Sequence, residues 1–194
     1  MSKIEVELKA PTPTVWLETV LSAFDTFLAD HANCERKASA LAMGMVAKYP
    51  DRPAILPGLI SVAREELEHF QAVYKVMCQR GIPLSRDAQD PYVNHLIDEM
   101  RHGRDERLLD RLVVAALVEM RGAERFGLIA SALEDPDLKP FYERLYKSER
   151  KHGHVFMHFA RQCFDDDLVQ SRANHFAALE GDIMSSLPIR PALH

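Results

Sequence analysis

Between Asp25 and Phe164, breaker sequences divide the chain into four long stretches of helix-forming residues, and this punctuation leaves few folds open. The first stretch, about Asp25 to Tyr49, stops at YPDRP, where two prolines forbid continuation. The second runs from about Pro53 to Arg80 and ends on Gly81 with Pro83 beyond, an order that closes a helix. The third, about Asp105 to Leu133, is broken by EDPDLKP, and the fourth runs from about Leu138 to Phe164. Links within each pair are short, which predicts antiparallel hairpins. About two dozen residues separate the hairpins, with a short helix-like piece after Asp90 and Pro91. The chain therefore reads as all-α: a single domain over residues 1–194, with a four-helix bundle core at about 25–164. Extra short helices are expected at the two ends, one from about Thr14 and one from Asp165 to about Ser186.

Composition agrees. A chain of 194 residues, 47% hydrophobic and 27% charged, is long enough to bury a core and ordinary for a globular protein. The net charge of -5 argues against a globally basic nucleic-acid binder. The opening MSKIEVELKA has no signal-peptide core, and no apolar run approaches the ~18–20 residues of a membrane span. Cys34, Cys78 and Cys163 form no CxxC pair and are odd in number, so a reduced, cytoplasmic setting is expected. Two local basic clusters stand out against the acidic total: RHGRDERLLDR, Arg101 to Arg111, and KSERKHGH, Lys147 to His154. Each is either a solvated helix face or a phosphate-binding patch.

The chemistry sits on the apolar faces. Glu66 and His69, in REELEHF, share a stripe with Leu59, Val62, Ala63, Val73 and Met77, whereas Glu65 and Glu68 point elsewhere. Glu149 and His152, in SERKH, share one with Tyr142, Leu145, Tyr146, Gly153 and Phe156. A lone carboxylate buried there costs several kcal/mol unless paired or ligated. On the first long helix Glu35 stands among Ala32, Ala38, Ser39 and Ala42, and His31 lies one turn before it, as a supporting partner or an ordinary core histidine. The third helix offers two glutamates, Glu119 beside small residues and Glu124 beside Met120, Gly127 and Leu128. Glu119 is favoured because its spacing to Glu149 is 30 residues (149 − 119), close to the 31 (66 − 35) between Glu35 and Glu66. Glu99 and His102 repeat the Glu-x-x-His spacing, but in a short, charged segment, so the spacing alone decides nothing. One Glu from each of two helices and Glu-x-x-His from each of two others is the donor pattern of a carboxylate-bridged two-metal site. Such oxygen and imidazole donors suit iron, or less often manganese.

With these residues assembled, HANCERKASALAM, AREELEHF, LVEMRGAERFG and KSERKHGHVF make the chain resemble the ferritin-like diiron proteins, and within them the MiaE-type tRNA hydroxylases. The resemblance spans about residues 15–165. It implies an oxygen-dependent monooxygenase that hydroxylates the isopentenyl chain of 2-methylthio-N6-isopentenyladenosine, next to the tRNA anticodon. It implies two iron ions, dioxygen as co-substrate and an external reductase or ferredoxin-type electron donor. The metal ligands carried over are Glu35, Glu66, His69, Glu119 and, on the last helix, Glu149 and His152, with Glu124 as the alternative to Glu119. A tRNA substrate gives Arg101, Arg104, Arg107 and Arg111 weight as phosphate contacts. A monomer or small homo-oligomer is expected. Rival readings are a diiron oxygenase acting on a small molecule or lipid, an iron-storage or peroxide-scavenging relative, and a non-enzymatic helical bundle.

Overall fold

The computed structural model describes residues 6–86 and 89–194. Among them are seven helices and no strand: α1 (Thr14–Ser22), α2 (Phe24–Lys48), α3 (Leu56–Gln79), α4 (Pro91–Asp98), α5 (Arg104–Ala132), α6 (Leu138–Cys163) and α7 (Asp166–Ser186). The four long stretches are α2, α3, α5 and α6. Their ends agree with the punctuation to within a residue or so, except that α3 starts three residues after Pro53. Pro57, not Pro53, takes the first-turn position in α3, where a missing N–H costs nothing. The C-terminal helix α7 is long, at 21 residues.

The described chain divides into two compact units. One holds α1, α2 and α3 (Val15–Gln89) with the tail Ile189–Leu193. Its helices α2 and α3 run antiparallel: Arg80 pairs with Asp25 at one end, and Ser39 Oγ donates to the Ala63 carbonyl at 2.7 Å farther along. Gly81, at φ +71°, closes α3 in a conformation that a Cβ would disfavour. The tail is anchored by Trp16 Nε1, which donates to the Ala192 carbonyl at 3.0 Å, and by Leu193 N, which donates to Asp30 at 2.7 Å.

The other unit holds α4 to α7 (Asp90–Pro188) with the described part of the N-terminal segment, residues 6–14. Helices α5 and α6 are antiparallel, and glycine sets how closely they approach. A Cβ at Gly153 would lie 2.9 Å from Met120 Cγ, and one at Gly127 would lie 3.3 Å from Tyr146. Asp90 caps α4 by accepting from the N–H groups of Tyr92 and Val93, and Asp165 caps α7 through Asp167 N.

Candidate metal centre

In the first unit, the antiparallel pair α2 and α3 brings three of the candidate ligand residues together. Donor atoms of Glu35, Glu66 and His69 all lie within 4.8 Å of one another. His69 Nδ1 is 3.3 Å from Glu66 Oε2 and 3.6 Å from Glu35 Oε2. The approach is possible because the α2 stripe around Glu35 is made of small residues, down to the Ser39 to Ala63 contact. His31, fully buried, sits one turn before Glu35, with Nε2 2.7 Å from Glu35 Oε1. That contact holds the Glu35 carboxylate in place through a group that does not itself join the cluster.

In the second unit, α5 and α6 do the same. Donor atoms of Glu119, Glu149 and His152 lie within 4.8 Å of one another, and all three residues are buried. Glu149 and His152 are one turn apart, with Nδ1 3.6 Å from Oε2. Glu124 is placed differently. Its carboxylate accepts from Thr12 N at 3.0 Å and from Thr12 Oγ1 at 2.6 Å, and forms an ion pair with Arg121. Of the two glutamates left open by the sequence, Glu119 joins a carboxylate–imidazole cluster and Glu124 ties the N-terminal segment to α5. Glu99 and His102 are both exposed and join neither group of donors.

Each cluster thus packs two buried carboxylates against an imidazole. Two like charges at such a distance cannot both stay ionised without a proton or cation between them. The donors are hard oxygens and imidazole nitrogens, a set that fits iron or manganese. The residues present therefore fit a metal in each unit.

The four arginines of the basic cluster have separate fates. Arg101 is engaged by buried Asp110: its backbone N–H donates at 2.9 Å, Nε at 3.0 Å and Nη2 at 2.8 Å. Arg172, on α7, reaches the same carboxylate at 2.8 and 3.1 Å. Burial pushes the Asp110 carboxyl up, but the two guanidiniums outweigh it and hold the group below its ordinary range. Arg104 is exposed and 3.6 Å from Asp105. Arg107 donates to the Arg101 carbonyl at 3.3 Å. Arg111 is half-buried, and its Nε lies out of solvent with no hydrogen-bond partner among the described residues.

A second buried polar network ties α5 to α7 and to the N-terminal segment. Arg121, fully buried, donates to Glu180 of α7 at 2.7 and 3.0 Å and to the Ala10 carbonyl at 2.8 Å, and Tyr92 O–H lies 3.2 Å from Glu180. Burial above all pushes the neighbouring Arg125 guanidinium down to about 10. The sequence signal was there: Glu180 stands among Phe176, Ala177 and Ile183 on the apolar stripe of α7, the same mark that singled out Glu66.

No described helix is long and apolar enough to cross a membrane. The whole chain, residues 1–194, matches the family described as tRNA-(MS[2]IO[6]A)-hydroxylase (MiaE). It is similar to the tRNA 2-(methylsulfanyl)-N(6)-isopentenyladenosine(37) hydroxylase of Pseudomonas putida, at 34% identity over 184 residues, covering 95% of this chain and 89% of that protein. The protein of the same name from Salmonella typhimurium is 26% identical over 228 residues, covering 92% of this chain and 84% of that one. Among solved structures, "Protein 43 with aldehyde deformylating oxygenase activity from Synechococcus" superposes with a TM-score of 0.91 at 34% identity, covering 96% of this chain and 94% of that chain. The fold class is accordingly all-α and ferritin-like.

Proposed function

The chain belongs to the MiaE family of tRNA hydroxylases, and from that premise we propose that it is a non-haem diiron monooxygenase. Its reaction is the dioxygen-dependent hydroxylation of the isopentenyl group of 2-methylthio-N6-isopentenyladenosine in tRNA. The observation that carries this reading is the doubled donor set, two buried carboxylates and an imidazole in each unit, in a chain matched end to end by a hydroxylase family. Residues 1–194 act as one ferritin-like domain. Glu35, Glu66 and His69 together with Glu119, Glu149 and His152 hold two iron ions.

When bound, the iron pair supplies the activation of dioxygen that insertion into a C–H bond requires. The chain's own residues do the rest. Four carboxylates balance the charge of two divalent ions, two neutral imidazoles complete the donor set, and burial of the carboxylates keeps bulk water from them. The contact from His31 fixes the orientation of the Glu35 carboxylate. One oxygen atom enters the substrate and the other leaves as water, which requires two protons from solvent and two electrons from an external reductase or ferredoxin-type donor. The anticodon loop of tRNA is the macromolecular substrate, the setting is cytoplasmic, and the working unit is a monomer or small homo-oligomer.

The likeness to a protein with aldehyde deformylating oxygenase activity favours a second reading, an oxygenase acting on a small apolar molecule through the same donors. Mass spectrometry of tRNA nucleosides from cells with and without the gene separates the two. A gain of one oxygen on the methylthio-isopentenyl nucleoside only when the gene is present supports the tRNA reading. Identical nucleosides in both strains would reject it.

A further inference from the structure

Helix α6 carries Glu149 and His152 on its buried face, and its other face has a character of its own. Arg144, Lys147, Lys151, His154 and His158 follow at steps of three, four, three and four residues, so they form one row along the helix. All are exposed except His154, which is half-buried, and exposed Arg150 flanks the row. At the helical period the five fall within an arc of about 80°, roughly opposite Leu145, Glu149, His152 and Phe156. Within α6 there are six lysines and arginines against two glutamates, a surplus of four (6 − 2) in a chain whose total is -5. One of the two glutamates, Glu149, is buried in the donor cluster.

We propose that this ridge is a docking surface for the phosphate backbone of RNA, a proposal that rests on the tRNA reading above and gives it a contact face. The row is about 21 Å long, and its three fixed cations, Arg144, Lys147 and Lys151, take up about 10 Å of it at axial steps of about 4.5 and 6 Å. A linear file of positive charge suits a strand of regularly spaced phosphates. An acidic protein partner suits it less. Protein interfaces centre on aromatic or other large apolar residues, and none of the exposed large hydrophobics among the described residues lies on α6. The other basic cluster is a poorer surface, because Arg101 is engaged by Asp110 and Arg107 by the Arg101 carbonyl. A strand on the ridge lies about one helix diameter, roughly 10 Å, from the side of α6 that bears the metal-donor residues.

The test is binding of isopentenyl-bearing tRNA to the full-length, iron-loaded protein over a salt series, comparing wild type with R144Q/K147Q/K151Q. Three phosphate contacts predict that the slope of log affinity against log salt falls by about 2, with affinity at low salt down about tenfold or more. Iron content and melting temperature should stay at wild-type values. Lys147→Glu alone should show the same direction, which guards against an effect peculiar to the triple variant. Wild-type affinity and slope in both variants would overturn the ridge and leave the tRNA reading intact. So would unchanged tRNA binding with lost donor-supported turnover, which would make the ridge a protein-docking face. Wild-type protein that neither binds nor hydroxylates this tRNA overturns the functional reading, and the ridge with it.

Discussion

Glu119 and Glu124 lie five residues apart on α5, and exchanging each for glutamine should move stability in opposite directions. Donor atoms of Glu119 and Glu149 lie within 4.8 Å. Two ionised carboxylates at that separation repel by about 3.5 kcal/mol at an effective dielectric of 20. In metal-free protein near neutral pH, shared proton uptake relieves part of that, leaving about 1–2 kcal/mol for Glu119→Gln to recover. For a chain of this length the gain raises the melting temperature by about 2–8 °C. Glu124→Gln removes the charge paired with buried Arg121 and weakens the acceptor for Thr12 N and Oγ1. Glu180 still pairs with Arg121, so the loss is about 1–3 kcal/mol, less than for an isolated buried charge. Thermal melts after chelation, with iron per chain measured after reloading, read both effects. Glu119→Gln should melt higher and hold less iron; Glu124→Gln should melt lower and hold the wild-type amount. A Glu119→Gln protein that keeps its iron and melts lower, or a Glu124→Gln protein stripped of iron, would refute the assignment.

Asp110→Asn removes the charge shared by two guanidiniums and turns one of its two acceptor oxygens into a donor, and should cost about 3–5 kcal/mol in urea melts. Because the folded-state carboxyl of Asp110 is held below its unfolded value of about 3.9, its contribution is complete above that value and is lost as pH falls through the folded one. The gap between wild type and Asp110→Asn should therefore shrink in acid, and a gap that widens would contradict the account. Gly153→Ala places a Cβ 2.9 Å from Met120 Cγ and 3.2 Å from the Ala116 carbonyl. It should destabilise by about 1–3 kcal/mol, against the usual helix preference for alanine, and a higher melting temperature would show that α5 and α6 can part at no cost. His31→Leu should weaken iron binding about 10–100-fold in chelator competition, and unchanged affinity would remove His31 as the support of Glu35.

What could be read from the sequence was whatever depends on neighbours along one helix. The ends of α2, α3, α5 and α6 follow from Pro and Gly nearby. The placing of Glu66 with His69 and of Glu149 with His152 on buried stripes follows from the three-residue step. The choice between Glu119 and Glu124 was not of that kind. Both have small or apolar neighbours, and what separates them is Thr12, 112 residues from Glu124 in the chain. The engagement of Arg101 is hidden for the same reason. Asp110 turns inward to hold it, and Arg172 reaches the same carboxylate from α7, 62 residues on.

Exposure, not helical phase, distinguishes the Arg101 cluster from the ridge on α6. Arg104, Arg107 and Arg111 follow at the same steps of three and four residues as Arg144, Lys147 and Lys151. Yet Arg101, Arg107 and Arg111 are half-buried and Arg101 is taken up by Asp110, whereas Arg144, Lys147 and Lys151 are all exposed. A basic run that stays exposed presents its charge outward, even with a carboxylate such as exposed Glu143 one turn before Lys147. A run that turns half inward supplies partners to its own fold. On that criterion the ridge on the helix that carries Glu149 and His152 is the better phosphate-binding face, and Arg101 belongs with the Asp110–Arg172 contact that holds α7 against α5.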